Sequence, residues 1–208
     1  RKIVDPFFLK NAYNDFLSNN PQPENLYPTG WNDLGPYDAN NITSHYSPGI
    51  GRVECFYVNP NNTQQMYMGS RSGGFWRTGD GGGTWQNTSD FLSASGVNTM
   101  DASPTNADSV LINVRNASNG SSHGIYQSGD AGMTWTLTNF NPANTTWGGL
   151  GDNDQIYKIA YHPTIPDLVF IGTSKGLYRS TDNLQTWTQL ISNTDITDIE
   201  FHPTSPNI

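Results

Sequence analysis

Thr78-Gly-Asp-Gly-Gly-Gly-Thr-Trp85 is one of three copies of an eight-residue signature in this chain. The other copies are Ser128-Gly-Asp-Ala-Gly-Met-Thr-Trp135 and Ser180-Thr-Asp-Asn-Leu-Gln-Thr-Trp187. Their aspartates are spaced 50 and 52 residues apart, which is the period of a unit of four short strands rather than of a helix pair. The signature therefore predicts a repeating all-β architecture.

The sequence around each signature has the same order of elements. An alternating strand ends at a proline, which stops pairing because it has no N–H to donate. These strands are Val53 to Pro60, Val97 to Pro104, Ile156 to Pro163 and Ile196 to Pro203. Second and third strands follow, and a fourth begins at the signature tryptophan. This order is that of one β-propeller blade.

We therefore predict a β-propeller of four-stranded antiparallel blades, with about three blades and the start of a fourth. The expected bounds are a propeller at 31–208, with blades at about 31–94, 95–150 and 151–194 and the next one starting at 195–208. Residues 1–30 are expected to form a short N-terminal helix and an extended lead-in, since Leu9, Tyr13, Phe16 and Leu17 have helical spacing. A ring needs about four to eight blades, so the remaining blades are expected from the same or another chain.

The composition limits the partners of the protein. Its 208 residues include 10 Lys and Arg against 18 Asp and Glu, a net charge of −8, which argues against nucleic acid and anionic membranes. The chain has no run of about 20 apolar residues that would span a bilayer. Cys55 is the only cysteine and lies in an apolar strand, so we expect a buried and unreactive thiol.

The signature resembles the Asp-box, or BNR, repeat of sialidases, sortilin-type propellers and xyloglucanase-type glycoside hydrolases, Ser/Thr-X-Asp-X-Gly-X-Thr/Ser-Trp. Two copies match fully, and the third has Leu184 in place of glycine, which predicts a less tight turn. The resemblance implies a hairpin on the outer rim, away from the ligand face. A short carboxylate can accept hydrogen bonds from its own turn, so a structural role is expected. The residues concerned are Asp80, Trp85, Asp130, Trp135, Asp182 and Trp187.

A second resemblance covers Trp31 to Trp85. Trp31-Asn-Asp-Leu-Gly-Pro36, Gly51-Arg-Val53 and Ser72-Gly-Gly-Phe-Trp76 look like the opening of large secreted propeller proteins of Bacteroidetes. Such proteins often carry a sorting domain for type IX secretion. The resemblance therefore implies a secreted or cell-surface protein, with secretion machinery as a further partner.

The sequence departs from both enzyme families at the positions that carry their chemistry. Xyloglucanase-type hydrolases resemble the stretch around Tyr67 to Trp76, and there they have an aspartate, implied to be catalytic, at the position of Arg71. A guanidinium cannot act as a general base at neutral pH. Sialidases clamp a carboxylate with three arginines; Arg52, Arg71 and Arg115 are present, but the usual Arg-Ile-Pro motif is absent. No catalytic residue is assigned, and Arg52 and Arg71 are kept as ligand-binding candidates.

The loop Asn141 to Asp154 is the other candidate site. It joins two blades on the face where propellers bind ligands, and Trp147 with Asp152 and Asp154 suits the C–H and hydroxyl groups of a sugar. The alternative is that Trp147 fills the gap between blades and the acids are solvated. The two acids also have the spacing that begins many calcium loops, but the Gly and Glu of an EF-hand are missing, so no metal or cofactor is assigned.

The sequence favours a secreted or cell-surface binding module, adhesin-like, for a glycan or a protein. One alternative is a glycoside hydrolase whose carboxylates lie partly in other blades. Another is a cargo or structural component of a type IX secretion or gliding assembly. The residues favour binding over catalysis.

Overall fold

The computed structural model describes residues 8–19, 52–144, 154–202 and 204–206. The expected N-terminal helix is formed: α1 runs from Phe8 to Asn19. Phe16 of this helix is 53% exposed. The side chains of Leu9, Tyr13 and Leu17, expected to share its apolar stripe, lie outside the described part of the chain.

The rest of the described chain is built of twelve strands in three antiparallel sheets of four strands each. The strands are β1 Val53–Val58, β2 Met66–Ser70, β3 Gly74–Thr78, β4 Gln86–Asn87, β5 Gly96–Ser103, β6 Asn106–Arg115, β7 Ser122–Ser128, β8 Thr136–Leu137, β9 Ile156–Tyr161, β10 Val169–Thr173, β11 Gly176–Ser180 and β12 Thr188–Ser192. Strands are hydrogen-bonded in chain order in each sheet, which is the meander of a propeller blade. The predicted all-β propeller fold is confirmed.

The blades are held together by two apolar layers, one at each junction. Between the first and second blades, Tyr67 and Phe75 pack against Val97, Ile112 and their neighbours. The second junction is lined in the same way by ten buried residues, Leu111, Ile125, Phe140, Ile156, Ile159, Tyr161, Val169, Ile171, Tyr178 and Leu184. Burial of apolar surface stabilises a fold by about 25 cal/mol per Å², and this burial at the two junctions is the main force that holds the blades together.

The expected first strand of a fourth blade is not formed as a strand. Residues 195–202 lie along the third blade: the Ile196 N–H donates to the Thr173 carbonyl at 3.0 Å, and the Phe201 ring packs edge-on against Phe170. These residues form no strand, because a strand needs a hydrogen-bonded neighbour and no described segment pairs with them along their length. The prediction of a strand over Ile196 to Pro203 was therefore wrong for the described residues.

Candidate functional site

The strand register gives the blades two distinct ends. Val53, where β1 begins, is opposite Ser70, where β2 ends, and Gly96 and Arg115 have the same relation in the second blade. We call this end of the blades the entry face. The three signatures join third and fourth strands at the opposite end, which we call the turn face.

An ion pair joins the first two blades at the entry face. Glu54 comes from β1, and its Oε2 accepts a hydrogen bond from Arg115 Nη2 at 2.8 Å. Both side chains are nearly buried, with 12% and 11% of their surface exposed. Burial lowers the pKa of Arg115, while the Glu54 carboxylate acts in the opposite direction and favours the charged guanidinium. Charges in this position need partners, because removing them from water is costly.

Two further arginines approach the other oxygen of the same carboxylate. Arg52 Nε lies 2.9 Å from Glu54 Oε1, and Arg71 Nη1 lies 4.0 Å from it. Neither contact is an aligned hydrogen bond, since Oε1 has no hydrogen-bond partner among the described residues. The side chains of Arg52 and Arg71 are 68% and 43% exposed. The site therefore carries three positive charges around one negative charge, with two guanidinium groups open to solvent.

Gly96 allows the arginines of the two blades to come together. A Cβ at this position would lie 2.6 Å from the Arg71 carbonyl oxygen, 2.9 Å from that of Arg115 and 3.1 Å from Arg115 Cγ. No side chain fits such a gap between two backbones without moving them. The Arg71 N–H in turn donates to the Arg52 carbonyl at 3.4 Å. The backbone thus fixes the positions of all three arginines.

Polar groups continue along the entry face into the third blade. Asn113 Nδ2 donates to Asn98 Oδ1 at 2.7 Å, and Ser122 Oγ donates to Asn113 Oδ1 at 2.6 Å. Asn98 Nδ2 in turn donates to the Ile156 carbonyl at 2.9 Å. Every link joins neighbouring strands or blades, so the chain of amides is a fixed polar seam at the second junction.

Asp154 marks the third blade on this face. Its Oδ1 accepts a hydrogen bond from Ser174 Oγ at 3.0 Å and lies 3.6 Å from Lys175 Nζ. Its main-chain carbonyl accepts the Ser122 N–H at 3.0 Å. The carboxylate is therefore already engaged by a hydroxyl and an ammonium group.

The three signature turns have one hydrogen-bonding pattern. In the first, Asp80 accepts bonds from the N–H and the hydroxyl of Thr84 at 2.8 and 2.7 Å, and from the Thr78 hydroxyl at 2.7 Å. These donors lower the pKa of Asp80 to about 2. The same contacts are formed by Asp130 and Asp182 in their own turns, with partners Ser128, Thr134, Ser180 and Thr186.

The third turn is as tight as the others. The Leu184 N–H donates to Ser180 Oγ at 2.8 Å, the distance that Gly132 makes to Ser128. Leu184 takes a φ of 69°, in the left-handed region that glycine occupies in the other copies. Its side chain is buried in the apolar layer of the second junction, and this burial offsets the strain. The expectation of a looser turn was wrong.

The structure brings together some of the candidates chosen from the sequence. Arg52 and Arg71 meet Arg115 at Glu54, and Asp154 lies on the same face one blade further on. Trp147 and Asp152 lie outside the described residues. Groups of three or more His, Cys, Asp or Glu that could hold a metal are absent from the described part of the chain. Cys55 is partly buried against the apolar layer of the first junction, and desolvation there raises the pKa of its thiol to about 12.

Sequence reasoning missed Glu54 and the role of Gly96. A signal was present in the repeat: Met68 pairs with Trp76 and Ile112 with Tyr126, and Arg71 and Arg115 lie three residues beyond Met68 and Ile112 along the chain. Equivalent positions in neighbouring blades lie side by side, so two arginines there require a nearby carboxylate. Glu54 is two residues from Arg52 in the adjoining strand.

The fold and this face define the class of protein: a β-propeller chain with a polar, arginine-lined entry face. No protein-family model matches the chain. A xyloglucanase of Hypocrea jecorina is 31% identical over 124 residues, covering 56% of this chain and 12% of that protein. The chain therefore spans about an eighth of this relative.

Solved structures show the same fold. An ancestral GH74 enzyme is similar with a TM-score of 0.54 and 17% identity, over 70% of this chain and 20% of that one. YCF48 bound to D1 peptide is similar with a TM-score of 0.53 and 14% identity, over 74% of this chain and 46% of that one. At these identities the similarity establishes the propeller fold alone. Helices long and apolar enough to cross a membrane are absent from the described residues.

Proposed function

We propose that this chain is part of a secreted or cell-surface Asp-box propeller that binds a glycan at its entry face, as an adhesin-like module. The observation that carries the proposal is the 31% identity to a xyloglucanase over 124 residues, which points to a carbohydrate as the ligand class. The secreted location and the type IX route rest on the resemblance of Trp31 to Trp85 to secreted Bacteroidetes propellers.

The arginine cluster supports a binding site on that face. Arg52 and Arg71 have exposed guanidinium groups next to a carboxylate that Arg115 already pairs. A guanidinium offers a planar fork of N–H donors that matches a carboxylate or a pair of sugar hydroxyls. The surplus of positive charge, in a chain of net charge −8, favours a glycan that carries acidic groups.

The carboxylates on the entry face already have hydrogen-bond or ion-pair partners, which favours binding over hydrolysis. Glycoside hydrolysis uses two carboxyl groups about 5 to 10 Å apart, one of them able to hold a proton. On the entry face, among the described residues, Glu54 is paired with arginine and Asp154 with Ser174 and Lys175. Arg71 occupies the position where the resemblance to xyloglucanases implies a catalytic aspartate.

A glycoside hydrolase remains the second candidate, because the relative with 31% identity is itself an enzyme. Its catalytic carboxylates would lie in other parts of a complete propeller. A protein ligand, such as a component of a secretion or gliding assembly, is the third candidate. The propeller YCF48, with a D1 peptide bound, shows a peptide ligand on this fold.

The experiment is calorimetry with a neutral and an acidic polysaccharide, xyloglucan and polygalacturonate. We expect binding, with the acidic chain preferred, and the double variant R52Q/R71Q should weaken it about tenfold or more because two charge-assisted contacts are lost. Arg179→Gln is the matched control, since Arg179 is an exposed arginine of β11 near the turn face.

Each outcome assigns the function differently. Absence of binding to both polysaccharides would contradict the glycan proposal. Binding that R52Q/R71Q leaves unchanged would keep the glycan but remove the arginine site. New reducing ends released from either chain would favour the hydrolase.

A further inference from the structure

The register aligns one cross-strand row of three side chains in each blade, from the first, second and third strand. The second row pairs Met100 with Ile112 and Ile112 with Tyr126, and the other rows follow the same pairing. The three rows are Phe56–Met68–Trp76, Met100–Ile112–Tyr126 and Ile159–Ile171–Tyr178. Equivalent rows in a repeat protein face equivalent neighbours.

The first row differs from the other two in burial. All members of the second and third rows are buried, with at most 8% exposure. Phe56, in contrast, is 54% exposed, and Met68 and Trp76 are only partly buried. Val53 and Val58, on the same strand as Phe56, are 55% and 39% exposed. A contiguous apolar surface of this kind marks an interaction site.

The two buried rows indicate which structural element packs against such a surface. The second row is covered by the far face of the first blade, through Tyr67 and Phe75, and the third by the far face of the second, through Leu111 and Phe140. In both cases a four-stranded antiparallel blade supplies the cover. Each of these two covered rows contributes two aliphatic or sulfur side chains and one aromatic ring.

The signature tryptophans report the same difference. Trp135 packs edge-on against Phe75 of the preceding blade, at 4.8 Å between ring centroids and 78°. Trp187 packs in the same way against Phe140, at 4.9 Å and 74°. The ring contact of Trp85, in contrast, is with Phe56 of its own blade, at 6.3 Å and 52°.

An open groove of about 420 Å³ lies beside this row, and its lining includes Arg52, Val53, Met68, Trp76 and Trp85. Arg52 is shared between the groove and the arginine cluster at Glu54. A group bound in the groove would therefore lie next to Arg52 of the candidate ligand site.

We propose that Phe56, Met68, Trp76 and Trp85 form the docking surface for one further four-stranded propeller blade, which places an aromatic ring edge-on against Trp85. The blade occupies the place that the first blade has relative to the second. The chain covers 20% and 46% of two similar propellers, so a further blade agrees with the size of that fold. Because Arg52 borders the groove, this blade also completes the wall of the ligand site.

The experiment measures thiol labelling by a maleimide at Met68→Cys, in the 208-residue chain and in the protein at its native length from its source. Cys55 is the background thiol: it is partly buried in the first junction and desolvation raises its pKa to about 12, so its slow reaction is measured in the unsubstituted protein and subtracted. We expect rapid labelling of Met68→Cys in the 208-residue chain and labelling at least about 100-fold slower in the native-length protein, because reaction then requires local opening.

Two matched variants calibrate the measurement. Ile112→Cys, at the equivalent buried position of the second row, should be slow in both proteins, and Met133→Cys, 54% exposed, should be fast in both. Equal, fast labelling of Met68→Cys in both proteins would overturn the proposal. Protection that depends on the concentration of the 208-residue chain would also overturn it, because the occupant would then be a second copy.

Discussion

Glu54 and Arg115 join the first two blades by a charge-assisted hydrogen bond of 2.8 Å, although they are 61 residues apart in the chain. The bond closes the entry face of the first junction, above the apolar layer that fills it. The bond therefore links the two blades and also fixes the Glu54 carboxylate next to which the exposed Arg52 and Arg71 lie. The two functions can be separated by substitution.

We expect Arg115→Met and Glu54→Gln each to destabilise the chain by about 2–3 kcal/mol, since each leaves a nearly buried charge without its main partner. The double variant E54Q/R115M should cost less than the sum, with a coupling of at least about 1 kcal/mol. Urea unfolding of the four proteins measures the cycle. Additive losses would show that the two side chains act independently.

Substituting Gly96 tests whether close packing at this position holds the arginine cluster together. Gly96→Ala should destabilise the chain by about 1–3 kcal/mol, because the new Cβ would push against the carbonyl oxygens of Arg71 and Arg115. Gly79→Ala is the matched control, since a Cβ there meets nothing within 4 Å. Thermal unfolding compares the two. Equal melting temperatures would mean that the blades can shift apart without cost.

The signature tryptophans predict a graded series. Trp135→Ala and Trp187→Ala should cost about 3 kcal/mol each, because each ring packs on an aromatic residue of the preceding blade. Trp85→Ala should cost about 1 kcal/mol in the 208-residue chain, because among the described residues its ring contacts Phe56 of its own blade and not a ring of a preceding one. Denaturant unfolding measures all three. Equal losses would contradict the assignment of an open row on the first blade.

The repeat made most of the fold predictable from the sequence. Three features indicate a blade: the fixed spacing of Asp and Trp, strands bounded by proline and glycine, and alternating apolar residues. The same features recur in every blade, so the prediction is supported three times. The looser turn expected at Leu184 was wrong because a buried leucine can offset an unfavourable backbone conformation. The strand expected after Ile196 was wrong because pairing depends on a neighbour that local sequence does not show.

The candidate site was less predictable, because it depends on contacts between blades. Arg52 and Arg71 could be named from resemblance, and Glu54 is close to Arg52 in sequence, but the sequence did not show that Glu54 pairs with Arg115 of the next blade. The pairing of Glu54 with Arg115 depends on the angle between two sheets and on the absence of a side chain at Gly96. Such geometry is a tertiary property and follows from packing, not from the pattern of a single strand.

The signature aspartates predict how the chain responds to acid. Hydrogen bonds from Thr134 and Ser128 lower the pKa of Asp130 to about 2, below the value of about 3.9 in an unfolded chain. Its stabilising contribution is therefore complete above about pH 4 and is lost as the pH falls towards about 2. Asp130→Asn should remove part of that acid-induced loss. Melting temperature against pH tests this, with Asp90→Asn as a control for the loss of one charge.

For Asp101 we expect the opposite pH dependence of stability, at higher pH than for Asp130. Its carboxylate accepts the N–H groups of Tyr161 and Ala102, both at 2.8 Å, and so links the second blade to the third. Burial raises its pKa to about 6, and these hydrogen bonds only partly counteract the effect. The folded state therefore favours the protonated acid, and the contribution of Asp101 to stability is full below about pH 4 and lost as the pH rises through about 6.

Asp101→Asn should abolish that decrease, which amounts to about 2–3 kcal/mol for a shift of about two pKa units. Urea unfolding between pH 4 and pH 7 measures the difference in slope between variant and wild type. A carbon-detected NMR titration of the carboxyl group gives the pKa directly. Parallel stability curves, or a titration midpoint near 4, would show that water reaches Asp101 at the junction of the second and third blades and that burial does not control its charge.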